Sequence, residues 1–258
     1  MSRPSSSARA RRNQPTATAS PTARSSTDRV AGIDAVRGFA LCLMFIYHFT
    51  FDLRLYGVIA ADFENDPFWL GFRALIVSMF MALVGVSLVL ADRAGATAAH
   101  FWRRVAVIGA CALVVSVASW LAFPRSFIYF GILHCIVVAS VLAWPFVRHP
   151  GTAFVIGCAV IIAGVALSHP MFDARPLSVF GFVAHKPITE DYVPLAPWAG
   201  VVFIGIALGN VVARQSFAAI ESLAAAPGWL RWLGRHSLAV YMIHQPILLG
   251  VMWLVIAH

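Results

Sequence analysis

Residues 32–53 read GIDAVRGFALCLMFIYHFTFDL. No proline breaks the stretch, and as a helix rising ~1.5 Å per residue it covers the roughly 30 Å hydrocarbon thickness of a bilayer. Four ionisable residues interrupt it: Asp34, Arg37, His48 and Asp52. Such groups are expensive inside a membrane and turn toward protein or a water-filled cavity. Their spacing puts them on one face. Asp34 and Arg37 are i,i+3 neighbours, Arg37 and His48 are about three turns apart, and His48 and Asp52 are i,i+4 neighbours. The stretch therefore predicts a membrane helix with a polar stripe running almost its whole length.

The rest of the chain supports a membrane setting. Of 258 residues, 60% are hydrophobic and 12% charged, far from the balance of a soluble domain. Mean hydropathy is +0.81. These values exclude an ordinary soluble enzyme, a disordered chain and a disulfide scaffold. The four cysteines, Cys42, Cys111, Cys135 and Cys158, lie in apolar runs without a CxxC pair, so neither a zinc nor a redox site is expected. The expected fold is an all-α integral membrane bundle of about seven transmembrane helices. The spans fall near 31–50, 69–91, 105–123, 127–147, 152–169, 196–214 and 237–257.

Residues 1–29 form an Arg-, Ser- and Pro-rich tail with no apolar core of a signal peptide, read as disordered and cytoplasmic. Residues 30–258 form the membrane domain. With the tail inside, thirteen arginines fall on the inner side, against Arg54, Arg73, Arg125, Arg175 and Lys186 outside. That bias orients the N-terminus inward, in a multi-pass cell (inner) membrane protein. The tail's charge suits an anionic membrane surface, and no basic stripe with interleaved aromatics points to nucleic acid. Two connecting segments stand out. The long loop 170–195 contains HKPITEDYVPLAPW (185–198), and FAAIESLAAAPGWLRWLGRH (217–236) suits an interfacial helix.

Chemistry assigns roles along the stripe. His48 suits a general base near neutral pH, and Asp52, one turn on, is spaced to fix its tautomer. Arg37 suits a phosphate or carboxylate, with Asp34 neutralising and positioning it. No GxSxG, GxxxxGK[ST] or HExxH occurs, so serine hydrolase, P-loop and zincin readings have no support.

At these residues the chain resembles a family. DAVRG (34–38) followed by LMFIYHFTFDL (43–53) is similar to the first span of bacterial relatives of the heparan-α-glucosaminide N-acetyltransferase catalytic domain. Arg37 and His48 match the Arg-x10-His spacing of the wider membrane acyltransferase superfamily. GILHCI (131–136), PITEDYVPLAPWAGVVFIGIALG (187–209) and GRHSLAVYMIHQP (234–246) agree in order. The resemblance implies acetyl transfer from cytosolic acetyl-CoA to an amino or hydroxyl group of a sugar or glycan at the outer face, with His48 as the active histidine. The chain is much shorter than the lysosomal enzyme of that family, so the resemblance carries the reaction class and not the acceptor.

Further polar residues join the candidate site. His134 is read either as a pocket residue facing His48 or as a satisfied intramembrane histidine. Glu190 and Asp191 are read as acceptor-binding acids or as solvated loop acids. Tyr192 and Trp198 are read as sugar-stacking or interfacial aromatics. His244, beside Gln245 and before the helix-kinking Pro246, is read as contacting the coenzyme's pantetheine arm or bonding another helix. His100, His149, His169, His236 and His258 read as loop or terminal residues. Acetyl-CoA, the acceptor and the lipid bilayer are the expected partners; no metal is expected, and a homo-oligomer remains compatible. A proton- or ion-coupled transporter is the alternative, because the same stripe could relay protons. A non-catalytic membrane subunit is a third reading.

Overall fold

The computed structural model of the chain describes residues 21–214, 223 and 225–256, with side chains described from residue 31. The membrane helices are α1 (Pro21–Leu55), α2 (Pro67–Arg93), α3 (Ala98–Ala122), α4 (Ile132–Ala143), α5 (Pro150–Ala166), α7 (Leu195–Arg214) and α9 (Ser237–Ile256). A 3₁₀ turn over Trp144–Phe146 lengthens α4. Among the described residues there are also two short α-helices, α6 (Arg175–Ser178) in the long loop and α8 (Gly228–Arg235) before α9. No strand occurs among the described residues. Five helices are long and apolar enough to cross a membrane, and Ile132–Phe146 and Pro150–Ala166 are shorter apolar helices. The protein is an all-α membrane bundle.

Several boundaries follow from local chemistry. Asp66 accepts from the Phe68 N–H and precedes Pro67, so α2 starts on a carboxylate cap and a first-turn proline. Thr97 caps α3 through the His100 N–H, seven residues before the expected start of that span. His100, Arg103 and Arg104 therefore lie on a helix and not in a loop. The fourth span begins at Ile132 instead of 127. Residues 126–130 are held away from helix by the long loop: Glu190 N–H donates to Ser126 O, and Thr189 Oγ1 to Phe127 O. Helix α1 begins at Pro21, inside the stretch expected to be a tail. Proline suits a first helical turn, and none follows it in α1. The expected interfacial segment yields α8, with Trp229 and Trp232 exposed; residues 215–222 and 224 lie outside the described residues.

Helix α7 sits between α2 and α5, and small residues let the backbones touch. A Cβ on Gly205 would collide with the Ala82 carbonyl, and one on Gly85 with the Val202 carbonyl. Gly157 and Gly200 face each other similarly across α5 and α7, where a Cβ on either would stand 2.9 or 2.7 Å from the other's carbonyl oxygen. Apolar residues of α2, α4 and α7, including Met81, Val89, Ala139, Val202 and Ile206, fill the main core.

Gly205→Leu should lower the thermal unfolding midpoint of the detergent-solubilised protein, with overpacking costing about 1–3 kcal/mol. Gly71, where a Cβ meets nothing within 4 Å, should tolerate alanine with little change in the same measurement.

Candidate active site

The basic end of the bundle is organised by Arg37. Its Nη1 donates to Asp34 Oδ1 at 3.0 Å, and its Nη2 donates to Ser87 Oγ of α2 at 2.9 Å. Nη1 also reaches the Gly234 carbonyl of α8 at 3.4 Å. Asp34 is shared, because Arg235 Nε stands 3.6 Å from its other oxygen. Helix α8 comes this close because it meets α1 through Gly38 and Gly234; a Cβ on either would collide with backbone, at Leu230 and Asp34 respectively. The expected Asp34–Arg37 pair is thus embedded in a three-helix junction of α1, α2 and α8.

A cavity of about 440 Å³ opens beside this junction. Arg37, Ser87, His100, Arg103 and Arg104 line its polar part. Val84, Ile108, Ile136 and Leu238 form an apolar shaft, and Tyr241 of α9 also lines the cavity. Three guanidiniums line it with no carboxylate among the lining residues, a surplus of charged donors that suits phosphate groups. The apolar part suits an extended chain.

Tyr241 links this cavity to the histidines. Its carbonyl accepts from His244 Nδ1, and its ring lies 5.3 Å from that of His244. The His244 ring in turn packs 5.0 Å from that of His48, centroid to centroid. A carbonyl only accepts, so Nδ1 of His244 carries the proton and Nε2 is left as an acceptor. That Nε2 is buried and has no hydrogen-bond partner. The hydrogen bond made by Asp52 goes to Gln245 Nε2, at 2.9 Å, and not to His48. The expected orienting role of Asp52 toward His48 thus has no direct bond behind it. Asp52 is fully buried, and Asp52 Oδ2 and Gln245 Oε1 are, like His244 Nε2, without partners.

The remaining expected residues lie toward the other end. Both ring nitrogens of His134 are engaged locally: Nδ1 accepts from Gly131 N–H, and Nε2 meets Ser116 Oγ at 3.1 Å. His134 thereby secures the first turn of α4 and makes no ring contact with His48. Asp191 is half-buried and accepts from the Ile132 N–H at 2.8 Å, so it too serves the start of α4. Burial pushes its carboxyl above the ordinary range, while the Ile132 N–H and the Arg73 charge pull the other way. Glu190 is exposed and accepts from Ser126 Oγ. Tyr192 donates to the Ser178 carbonyl at 2.6 Å. Trp198 packs against the main core. None of these touches the histidine pair.

Arg103, Arg104 and His100 escape a reading that places them in a loop, although Thr97 is a helix-start signal three residues before His100. Ser87 and Tyr241 carry no signal distinguishing them from ordinary span residues. The adjacency of His48 and His244 is a tertiary fact.

Residues 29–246 match the family described as Heparan-alpha-glucosaminide N-acetyltransferase, catalytic. That match covers most of the chain, and the protein belongs to this family. No curated protein and no solved structure matches it.

Gln245→Leu should leave the buried Asp52 carboxyl without its donor. It should destabilise the protein by about 1–3 kcal/mol, read as a lowered thermal midpoint in detergent, and Asp52→Asn in the same background should recover part of the loss.

Proposed function

We propose that this family member is a membrane acetyltransferase. It takes the acetyl group of acetyl-CoA in the cavity beside Arg37 and passes it, at His48, to an amino or hydroxyl group of a sugar or glycan at the opposite face. The observation that carries this reading is that Arg37, Arg104, the apolar residues and Tyr241 line one cavity, and that Tyr241 is joined through His244 to His48.

The fit to the donor is chemical. Arg37, Arg103, Arg104 and His100 would hold the phosphates, and the shaft would take the pantetheine arm. The axial rise from Arg37 to His48, eleven residues at ~1.5 Å each, is within reach of such an arm. The thioester supplies an activated acetyl group. His48 takes the proton as the acceptor's nitrogen or oxygen bonds to the acetyl carbon, and returns it to the departing thiolate. His244 supports the ring of His48 by contact. The arginine bias supports a cytoplasmic Arg37 end, the side where acetyl-CoA resides.

Calorimetry of acetyl-CoA binding to the detergent-purified protein tests this. Saturable binding is expected. Arg104→Ala and Arg37→Ala should each weaken it by about tenfold, equivalent to ~1.4 kcal/mol. His48→Ala should bind acetyl-CoA normally and release no coenzyme A with an amino-sugar acceptor that the unsubstituted protein acetylates. A folded protein that binds neither acetyl-CoA nor longer acyl-CoAs would favour the proton-coupled transporter instead.

A further inference from the structure

A second cavity lies on the lipid-facing side of the histidine pair. It is a groove of about 450 Å³ between α1 and α9, lined by Phe45, Ile46 and Phe49 from one helix and Val240, Ile243 and Ile247 among others from the second. Ile46, Phe49, Ile243 and Ile247 are all about half exposed. At the middle of two membrane spans such exposure faces hydrocarbon, not water. The groove runs from Val240 to Leu248 on α9, about 12 Å at ~1.5 Å per residue. Its one polar lining residue is His244.

That histidine is 94% buried by its 6% exposure, and its Nε2 has no partner. Toward the loop end, within about a turn, Asp52 Oδ2 and Gln245 Oε1 are also buried without partners. All three are acceptors. Leaving such atoms unpaired in a membrane interior is costly. What pairs them must bring N–H or O–H donors, and the groove admits it only if the rest of it is hydrocarbon.

From this geometry we infer that the acceptor is an amphiphile. Its hydrocarbon chain lies in the α1–α9 groove, and its amino or hydroxyl head reaches His244, Asp52 and Gln245 beside His48. This inference rests on the acetyltransferase reading and names its substrate class: a membrane-anchored amine or alcohol, such as a lipid-linked amino sugar, entering sideways from the bilayer. The head meets the acetyl group at His48 while the chain stays in lipid. The transfer balances as before: the acceptor's N–H or O–H proton passes to His48 and on to the coenzyme thiolate, and an amide or ester forms as the thioester breaks.

Matched probes test it. The protein in lipid nanodiscs is given radiolabelled acetyl-CoA with octyl β-glucosaminide or methyl β-glucosaminide, and acetyl transfer to each is measured. Binding of each probe is measured separately by calorimetry without acetyl-CoA. The octyl compound should show a kcat/KM at least about tenfold above the methyl compound and should bind where the methyl compound does not. Ile247→Trp, which fills the groove, should collapse that ratio to within about twofold. Ile162→Trp, at a lipid-exposed position of α5, should keep it. Equal use of the two probes, or a ratio unaffected by Ile247→Trp, overturns the inference and leaves the acetyltransferase intact. Transfer to neither probe also counts against it, and the acetyl-CoA titration then decides separately whether the acetyltransferase reading falls too.

Discussion

Four ionisable side chains on one membrane helix impose the constraint around which the remaining structure is arranged. Hydrocarbon offers Asp34, Arg37, His48 and Asp52 no partners, so protein must. The partners come from far along the chain. Arg37 finds Ser87 on α2 and the Gly234 carbonyl on α8, and Asp34 gains Arg235. Asp52 finds Gln245 on α9, and His48 packs on His244. The C-terminal segment therefore completes the first span. Glycine makes this approach feasible at Gly38 and Gly234, where any side chain would hold α8 away from α1.

Rigidity and chemistry are housed in different parts of the bundle. Helices α2, α5 and α7 approach closely at glycines around an apolar core. Tight backbone contact of this kind admits few alternative arrangements. The α1–α9 contact carries the unpaired acceptors of Asp52, His244 and Gln245 and borders both cavities. The loop end is tied separately. Ser126, Thr189, Glu190 and Asp191 join the segment before α4 to the long loop, and His185 pairs with Asp173 at 2.8 Å. The Glu190–Asp191 pair thus acts on the placement of α4, whose Ile132, Leu133 and Ile136 form one wall of the cavity beside Arg37.

Much of this is legible in the sequence, for physical reasons. A bilayer demands long apolar runs, so seven helical segments can be read directly, and burial of charge makes the α1 stripe visible by spacing alone. Two things are not legible. Helix α3 starts earlier than its hydropathy suggests, because Thr97 caps polar turns that a hydrophobic window discards, and His100, Arg103 and Arg104 are lost with them. Partner choice is the second. Asp52 has two candidate donors at helical distance or across the bundle, and sequence spacing favours His48. The folded chain pairs it with Gln245, since α9 brings that amide to the buried oxygen. The same blindness applies to His134, whose local bonds to Gly131 and Ser116 are invisible in a linear reading.

The unpaired polar groups have opposite character at the two levels of the stripe, and this orders what can bind. Beside Arg37 the cavity has an excess of donors: Arg37, Arg103 and Arg104 line it, and Asp34, which pairs with Arg37 and Arg235, is not among its lining residues. Around Asp52, Gln245 and His244 there is an excess of acceptors. An anion belongs at the first level and an amine or alcohol at the second, and neither is matched at the other's position. Between them stands His48, against His244, whose own proton is fixed on the Tyr241 carbonyl. The His48 ring is therefore the point on the stripe where groups held at the donor-rich and acceptor-rich levels would meet.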